Sequence, residues 1–523
     1  MQPLEAYQEL ERRYRRIALV GEAVGILDWD AATMMPAGGA EARAEQSATL
    51  RVIGHEMRTD PALADLLARA EEAGEALDDW QAANLREMRR SWRHATAVPA
   101  DLVAAAAKAD AASEMRWRTA REDDDFEATR PHLARLVELA NEVAQAKAAA
   151  FGLAPYDALL DGYEAGLRRD QIGPLFSELE AFLPDFLDGV LERQAAAGPL
   201  LPLPGPFPRQ RQRALGEALI TAIGFDFEHG RLDESHHPFS AGVPEDARIT
   251  TRYTEDDFQP ALMAVLHETG HALYSRNLPP AWRYQPVGGA MGMVVHESQS
   301  LIVEMLACRS DAYLGFLAPR LAEAFEGSGP AWEPANLARH ARRVSRGLIR
   351  VDADEVTYPL HVILRYRLEQ ALLAGDLPVA DLPTAWNEAM ERLVGIRPPD
   401  DRDGCMQDAH WYGGSFGYFP TYTLGALAAA QLFETAARAV DIDGTIGTGN
   451  FGPFIDWLCR NVHCQGRRFA GYDALLAQAT GGPLRWDVSL NRLPARDPRA
   501  KSRARAARES RGAPRRHGGR GHW

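Results

Sequence analysis

The sequence predicts a large, mostly α-helical protein with one small β-sheet close to a metal-binding helix. Residues 1 to about 196 are rich in Ala, Leu, Glu and Arg and contain few glycines inside long runs, a composition that favours helices. Long helical patterns return between residues 295 and 440, whereas residues 225–253 are rich in turn residues. With 523 residues, 46% of them hydrophobic, the chain can bury a large core.

The first part of the chain contains several long helical patterns. Apolar residues recur at helical spacing in residues 101–121 and 131–151, and again in residues 209–223 after a proline-rich loop at 199–208. The β-branched residues in 248–253 then predict a short strand of a small sheet.

The most informative stretch is His267-Glu268-Thr269-Gly270-His271. Two His side chains four residues apart project from one face of a helix and can bind one Zn²⁺. The Glu268 side chain then stands close enough to act on a metal-bound water, a pattern typical of zinc peptidases.

The residues around this motif have a helical pattern of their own. Asp256 or Asp257 can cap the helix, Pro260 suits its first turn, and the prolines at 279 and 280 end it. Because the motif is short, a helix with two incidental His residues remains the alternative.

A catalytic zinc requires a third protein ligand and an open position for water. Glu297, in the stretch His296-Glu297-Ser298-Gln299-Ser300, opens a second amphipathic pattern that runs to Ala307. A carboxylate on this second helix would complete a His₂Glu site, and the alternative is a solvated Glu at a helix start.

Further motifs occur in order along the chain, and together they resemble the carboxypeptidase Taq family of bacterial and archaeal metallocarboxypeptidases. The resemblance covers roughly residues 5 to 485 and rests, besides the two motifs above, on Asp28-Trp29-Asp30, Glu41 to Gln46, His237-Pro238-Phe239, Asp246-Ala247-Arg248-Ile249-Thr250, Ile349 to Asp354, and Gly404 to Trp411.

The resemblance implies one mostly helical, neurolysin-like domain, here residues 1–490, with two lobes around a deep active-site groove. It also implies a homodimer that removes C-terminal residues from peptides one at a time with broad specificity. The family usually continues with one more helix, whereas this chain runs into a basic stretch at residues 491–523. We predict that this stretch is disordered, and it is either an extension or a frameshifted end.

The expected chemistry assigns roles to residues at the motifs. Glu268 is the general base for the metal-activated water. His410 and Tyr422, with Tyr418 as a weaker candidate, lie in a loop similar to the His- and Tyr-rich loop that related zinc oligopeptidases place over the metal. They would donate hydrogen bonds to the developing oxyanion, and the alternative is an aromatic core around a Gly-rich turn.

Two arginines from the family motifs, Arg350 and Arg248, are candidates for binding the terminal carboxylate of the substrate, because a guanidinium can bind both oxygens. Either could instead be a structural arginine paired with Asp352, Asp354 or Asp246.

Three further residues have less specific predictions. Asp354 and Asp408 could orient a ligand His through a hydrogen bond, or could serve as helix caps or salt-bridge partners. His237 could line the groove, although the adjacent His236 suggests a simply polar loop.

The formal net charge of −15 is unevenly distributed. From Arg496 onward ten basic residues face two acidic ones, a local charge of +8, which leaves −23 for the preceding body. So acidic a body makes nucleic-acid binding unlikely and restricts that hypothesis to the tail.

The four cysteines are too few for a disulfide framework. Cys459 and Cys464, with His463 beside them, fit a structural accident better than a metal site. The sequence has no signal-peptide layout and no apolar run of membrane-spanning length, so we predict a cytoplasmic protein without a membrane partner.

The resulting hypothesis is a zinc-dependent metallocarboxypeptidase that acts on peptides, with one metal ion per chain. Co²⁺ and Mn²⁺ remain possible because metal availability in the cell decides which ion is bound. The alternatives are a zinc oligopeptidase that cleaves internally and a catalytically inactive binding protein with a basic tail.

Overall fold

The computed structural model describes residues 1–485 and confirms a mostly helical protein with one small sheet. The predicted domain end at residue 490 and the predicted disorder of residues 491–523 lie outside the described residues.

In the described chain, nine α-helices precede the sheet and ten follow it. The first nine are α1 Pro3–Thr33, α2 Ala40–Thr59, α3 Ala62–Glu71, α4 Asp79–Thr96, α5 Ala100–Asp123, α6 Phe126–Phe151, α7 Pro155–Tyr163, α8 Arg169–Ala196 and α9 Arg209–Ile223. The other ten are α10 Gln259–Arg276, α11 Met293–Leu301, α12 Asp311–Ala324, α13 Pro334–Ala341, α14 Tyr358–Ala374, α15 Leu382–Leu393, α16 Pro420–Ala439, α17 Ile442–Ile446, α18 Gly452–Asn461 and α19 Tyr472–Thr480.

The predicted helices of the first half are present, and their ends follow local capping. Helix α9 has the predicted bounds, and α5 extends the prediction for residues 101–121 slightly at both ends. Helix α6 begins five residues before Pro131, because the Asp125 side chain accepts a hydrogen bond from the Ala128 N–H and caps an earlier start.

The sheet consists of β1 Gly230–Glu234, β2 Ser240–Val243 and β3 Asp246–Thr251, in the order β1-β3-β2. Strand β3 pairs with β1 in parallel and with β2 antiparallel, and it starts two residues before the predicted strand. The sheet packs on α9 and α10 through Ile220, Leu232, Ile249 and Val265. This packing fixes the sheet beside the helix that carries the metal motif.

Two larger cores hold the helices together. Helices α1, α3 and α4 share a core that includes Tyr7, Leu10, Leu63, Leu67 and Met88. The main core extends from α5 to α19 and includes residues of both predicted metal-binding helices.

Helix α10 spans the complete His-Glu-x-x-His motif. Its first N–H, at Gln259, donates to the Asp257 carboxylate at 2.9 Å, and the helix ends at Arg276, before the prolines at 279 and 280. The second metal-binding helix differs from the prediction, because α11 ends at Leu301 and a π-helical segment, Ile302–Ala307, follows. A π turn changes the direction of the side chains that follow it.

Helices α10 and α16 both pack closely on α11 through glycines. A Cβ atom added to Gly270 of α10 would lie 2.3 Å from the Gln299 carbonyl oxygen and 2.6 Å from the Ser300 Cα. A Cβ atom added to Gly425 of α16 would lie 2.8 Å from the Glu297 Cβ. The two glycines therefore permit the backbone approach that surrounds Glu297.

Among residues 1–485, none of the helices has both the length and the hydropathy needed to cross a membrane.

We predict that Gly270→Ala lowers the free energy of unfolding by about 1–3 kcal/mol, because the added methyl group overlaps backbone atoms that cannot move independently. Chemical denaturation measures this change. Gly315→Ala is the matched control, since Gly315 lies in an exposed part of α12 with no atom within 4 Å of its added Cβ. Alanine there should stabilise the protein by about 0.5–1 kcal/mol. Equal stabilisation by both substitutions would contradict the proposed close helix contact.

Candidate active site

The three predicted metal ligands converge at one point. One donor atom from each of His267, His271 and Glu297 lies within 4.8 Å of the other two, and His271 Nε2 is 3.7 Å from Glu297 Oε2. His271 and Glu297 are buried, and His267 is partly exposed. Two imidazoles and one carboxylate form a donor set that suits Zn²⁺ and similar divalent ions, so the residues present fit a metal.

Glu304, which the sequence analysis did not identify, orients the first ligand. Its Oε2 lies 3.1 Å from His267 Nδ1, and the Arg309 guanidinium donates to its Oε1. A carboxylate at Nδ1 directs Nε2 of the ring toward the ligand cluster. Glu304 lies in the π-helical segment, and helical periodicity alone cannot place a side chain that follows a change in helix type.

The charges around the cluster favour a cation. Burial disfavours the His267 imidazolium, but Glu304, Glu297 and Glu268 outweigh burial and raise the pKa of His267 to about 10. Burial raises the pKa of Glu297, and it lowers the pKa of His271 well below its usual value. Two carboxylates, Glu268 and Glu304, thus lie around a ligand set that contains a third, Glu297, and in which burial keeps the His271 imidazole neutral.

Glu268 lies on the same helix between the two His ligands and is itself buried. Burial raises the pKa of Glu268 to about 7, against the opposing effect of His267 and a hydrogen bond from Ser240. Ser240 begins β2, so the sheet contributes directly to the surroundings of this carboxylate. A carboxylate with a pKa near 7 is suited to accept and return a proton.

His410 and Tyr422 lie together, 3.1 Å apart between Nε2 and the hydroxyl oxygen. Burial and the nearby Arg350 lower the pKa of His410 to about 4, so the imidazole is neutral at pH 7. Burial raises the pKa of Tyr422 to about 12, and Glu297 contributes to the same shift. Tyr418 packs against both rings. These groups are neutral hydrogen-bond donors close to Glu297.

Tyr358, at the start of α14, was also missed by the sequence analysis. Its pKa is raised strongly, first by burial and then by Glu297, and its ring lies 6.1 Å from that of Tyr422. No motif around residue 358 distinguishes it from an ordinary core tyrosine.

The loop that carries His410 is anchored by a buried carboxylate on α14. Glu369 accepts hydrogen bonds from the Tyr156 hydroxyl at 2.7 Å, the Trp411 indole at 2.8 Å and the Gly417 N–H at 2.5 Å. Burial raises the pKa of Glu369 to about 7. The aromatic, Gly-rich composition of the loop could not reveal this anchor, which lies about 40 residues away in sequence.

Arg350 is almost fully buried and paired with Asp408. Its Nε and Nη2 donate to Asp408 Oδ1 at 3.0 and 2.7 Å, while Arg365 donates to the other carboxylate oxygen at 2.6 Å. The Arg350 guanidinium lies 4.7 Å from the centre of the Tyr422 ring. The partner of Arg350 is therefore Asp408 and neither Asp352 nor Asp354.

Arg248 has a similar environment on the sheet. Its Nε and Nη2 donate to the Asp246 carboxylate, and its guanidinium lies 4.4 Å from the centre of the Trp29 ring. Arg248 points away from the sheet face formed by Ala247 and Ile249, which packs on the helices. In each arginine, the paired aspartate binds the Nε and Nη2 edge of the guanidinium group. The Nη1 end is then left for a second anion.

For Asp354 and Asp408 the structure shows the contacts of the alternative prediction, a backbone cap and salt bridges. Asp354 accepts hydrogen bonds from the Val356 and Thr357 N–H groups at 2.9 and 3.0 Å, so it caps the turn that leads into α14 rather than orienting a ligand His. Asp408 binds two arginines, and its carboxylate is 3.9 Å from His410 Nδ1. Within the described chain, Glu304 is the carboxylate hydrogen-bonded to a ligand His.

His237 lies on the exposed loop between β1 and β2, with its ring against His236. Burial and several positive groups, His236 and Arg252 among them, lower the pKa of His237. The described contacts do not join His237 to the metal ligands.

Comparisons with known proteins identify the family of this chain. The family model described as carboxypeptidase Taq (M32) metallopeptidase matches residues 9–496. Thermostable carboxypeptidase 1 of Thermus thermophilus is 41% identical over 484 residues, which cover 90% of this chain and 94% of that protein. Carboxypeptidase 1 of Bacillus subtilis is 33% identical over 484 residues, which cover 90% and 93%.

Solved structures show the same fold. Metallocarboxypeptidase 1 of Trypanosoma cruzi superimposes with a TM-score of 0.92 and 40% identity, over 94% of this chain and 99% of that one. The M32 carboxypeptidase of Deinococcus radiodurans superimposes with a TM-score of 0.88 and 35% identity, over 95% and 100%. The chain therefore belongs to the carboxypeptidase Taq (M32) metallopeptidase family, and it is a metallocarboxypeptidase.

Proposed function

We propose that the protein binds one Zn²⁺ per chain through His267, His271 and Glu297 and releases C-terminal amino acids from peptides with broad specificity. The convergence of these three side chains beside Glu268 carries the proposal. Co²⁺ and Mn²⁺ accept related donor sets and are the alternatives to zinc.

The bound metal would supply a Lewis acid that lowers the pKa of water and polarises the scissile carbonyl group. The carboxylate of Glu268 acts as the general base, taking a proton from the attacking water and later delivering it to the departing amine. Its raised pKa, near 7, matches this two-way transfer.

His410 and Tyr422 act as neutral donors toward the oxygen on which negative charge develops, with Tyr418 as the weaker candidate. Their mutual hydrogen bond and the loop anchored by Glu369 hold them in place before substrate arrives. Donors that are already oriented need little rearrangement during the reaction.

Arg350 and Arg248 bind the terminal carboxylate of the peptide through their Nη1 ends. Asp408 and Asp246 fix the orientation of the two guanidinium groups without binding all of their N–H donors. Such a clamp selects the last peptide bond and argues against the alternative of internal cleavage by a zinc oligopeptidase. Glu268 beside a complete ligand set argues against the other alternative, a catalytically inactive binding protein.

We further propose a homodimer in the cytoplasm, acting on peptides, with the catalytic domain arranged as two lobes around a groove. The small number of cysteines, four in 523 residues, fits a reducing cytoplasm, and the family resemblance supports the dimer and the groove. The formal charge of −23 before the tail argues against nucleic acid as a partner.

The proposed direction of cleavage predicts a ladder of products. A peptide blocked at its N-terminus should lose residues one at a time from its C-terminus, as read by mass spectrometry, and a chelator should stop the loss. A single internal cut would indicate an oligopeptidase, and a loss that persists without metal would contradict both assignments.

The same peptide with a C-terminal amide is the control for the arginine clamp. The wild-type protein should prefer the peptide with the free acid. Arg350→Lys and Arg248→Lys should each reduce that preference, because a Lys ammonium is a point charge and cannot bind both carboxylate oxygens through two parallel donors. An unchanged preference in either variant would remove that arginine from the clamp.

Glu268→Gln should lower kcat by about 10²–10⁴-fold, because the amide cannot take a proton from water. The metal content should be unchanged, since Glu268 is not among the proposed ligands. Metal analysis of the purified variant separates the two effects, and turnover like that of the wild type would exclude Glu268 as the base.

Glu304→Gln should weaken metal binding about 10–100-fold, because the amide is a poorer partner for the His267 ring than a carboxylate. Competition with a chromogenic chelator measures the dissociation constant. Glu323→Gln, at an exposed position of α12, is the matched control and should bind metal like the wild type. Equal affinity in the two variants would show that Glu304 does not support the ligand.

A further inference from the structure

A pair of cysteines lies outside the residues used by the proposed mechanism. Cys459 is in the last turn of α18, and Cys464 is in the short 3₁₀ helix His463–Gln465. Their Sγ atoms are 2.9 Å apart, and both residues are only partly buried. Cys308 and Cys405, by contrast, are 0% and 2% exposed.

Cys464 and the adjacent His463 contact the two helices that carry metal ligands. His463, next to Cys464, lies with its Nε2 3.0 Å from the Gln299 Oε1, and Gln299 is two residues after Glu297 on α11. The Cys464 Sγ lies 3.5 Å from the carbonyl oxygen of Asn277, the residue that caps α10. Residues 463 and 464 therefore contact α10 through its cap Asn277 and α11 through Gln299.

The His463 ring has no room to move independently of these contacts. It is 1% exposed, and its ring centre lies 5.2 Å from that of Tyr274 on α10. Its Nδ1 lies 3.4 Å from the side-chain nitrogen of Asn277. Because packed interiors transmit small shifts, a displaced His463 disturbs Gln299 rather than relaxing locally.

We propose that Cys459 and Cys464 form a reversible dithiol–disulfide site for low-molecular-weight disulfides, and that closing the bond weakens metal retention by His267, His271 and Glu297. The second half of this proposal rests on the metal centre proposed above.

The chemistry requires a small disulfide as the oxidant. The thiolate of Cys464 attacks one sulfur of that disulfide, forms a mixed disulfide and releases the first small thiol. The thiolate of Cys459 then attacks the Cys464 sulfur, closes the intramolecular bond and releases the second small thiol. The protein loses two electrons and two protons, and the small disulfide is reduced to two thiols.

The order of attack follows from the surroundings of the pair. Burial and the hydrogen bond with Cys464 raise the pKa of Cys459 to about 12, which disfavours Cys459 as the first nucleophile. Once Cys464 is held in the mixed disulfide, its thiol hydrogen bond to Cys459 is lost. One of the causes that raise the pKa of Cys459 is then removed.

Closing the bond changes the contacts of the pair. A disulfide needs about 2.05 Å between the sulfurs, so the two Sγ atoms, now 2.9 Å apart, must approach each other, and the Cys464 thiol proton is lost from the contact with the Asn277 carbonyl. We expect Cys464 to take up part of this movement and to shift the adjacent His463. Partners beyond the first ligands affect metal affinity, and we expect a reduction of about two- to tenfold.

The first measurement tests the formation of the disulfide by a readout, the peptide mass, that does not depend on metal binding. The zinc-loaded protein is incubated with glutathione disulfide, unreacted thiols are alkylated, and peptides are mapped by mass spectrometry. The peptides containing Cys459 and Cys464 should be linked, with the loss of about 2 Da that removal of two hydrogens requires. Cys308 and Cys405 should stay reduced, and alkylation of both Cys459 and Cys464 would overturn the proposal.

The second measurement follows zinc transfer to a chromogenic chelator before and after oxidation. Oxidised wild-type protein should release zinc about two- to tenfold more readily, and a phosphine reductant should reverse the change. Cys464→Ser, and Cys459→Ser as an independent second variant, should not respond to the oxidant.

Linked peptides with unchanged zinc retention would overturn the coupling to the metal site. A reduced wild-type protein that binds no zinc would contradict the proposed metal centre and with it the coupling, whereas the peptide map still decides the bond.

Discussion

The close approach of α11 to α10 and α16 is the constraint on which the site depends. The two His ligands follow from four-residue spacing on α10, but Glu297 reaches them only because Gly270 and Gly425 allow the backbones to come together. Helix packing without such glycines would hold the backbones farther apart. The same approach places Tyr422, one turn before Gly425 on α16, beside Glu297.

Charge compensation is the second condition for a buried ionic site. Around the ligands, Glu268, Glu297 and Glu304 together favour a cation, as the raised pKa of His267 shows. Farther out, Arg350 and Arg365 share Asp408, whose pKa is held well below its usual value despite burial. Pairing and hydrogen bonding offset part of the desolvation cost of these buried charges and hold the two guanidinium groups in fixed orientations.

Much of the fold and site could be predicted from the sequence, and the remainder depends on tertiary contacts. Local periodicity predicts the bounds of α9, the presence of strand β3 and the spacing of the two His ligands. The family motifs predict that Glu297, His410 and Tyr422 belong to one site. Glu304 could not be predicted, because the direction of its side chain depends on a π-helical turn. The sequence leaves Asp354 open between a partner of a ligand His and a backbone cap, and its hydrogen bonds to the Val356 and Thr357 N–H groups place it at the turn that leads into α14. Glu369 anchors a loop distant in sequence, which no local pattern reveals.

The central claim is that α10 and α11 together hold one metal ion by two imidazoles and one carboxylate. X-ray absorption at the zinc edge of protein loaded with one equivalent of Zn²⁺ tests this claim most directly, because it counts imidazoles and distinguishes oxygen and nitrogen from sulfur. The proposed site predicts two imidazole ligands and otherwise only oxygen ligands. A sulfur shell at about 2.3 Å, or an imidazole count other than two, would contradict it.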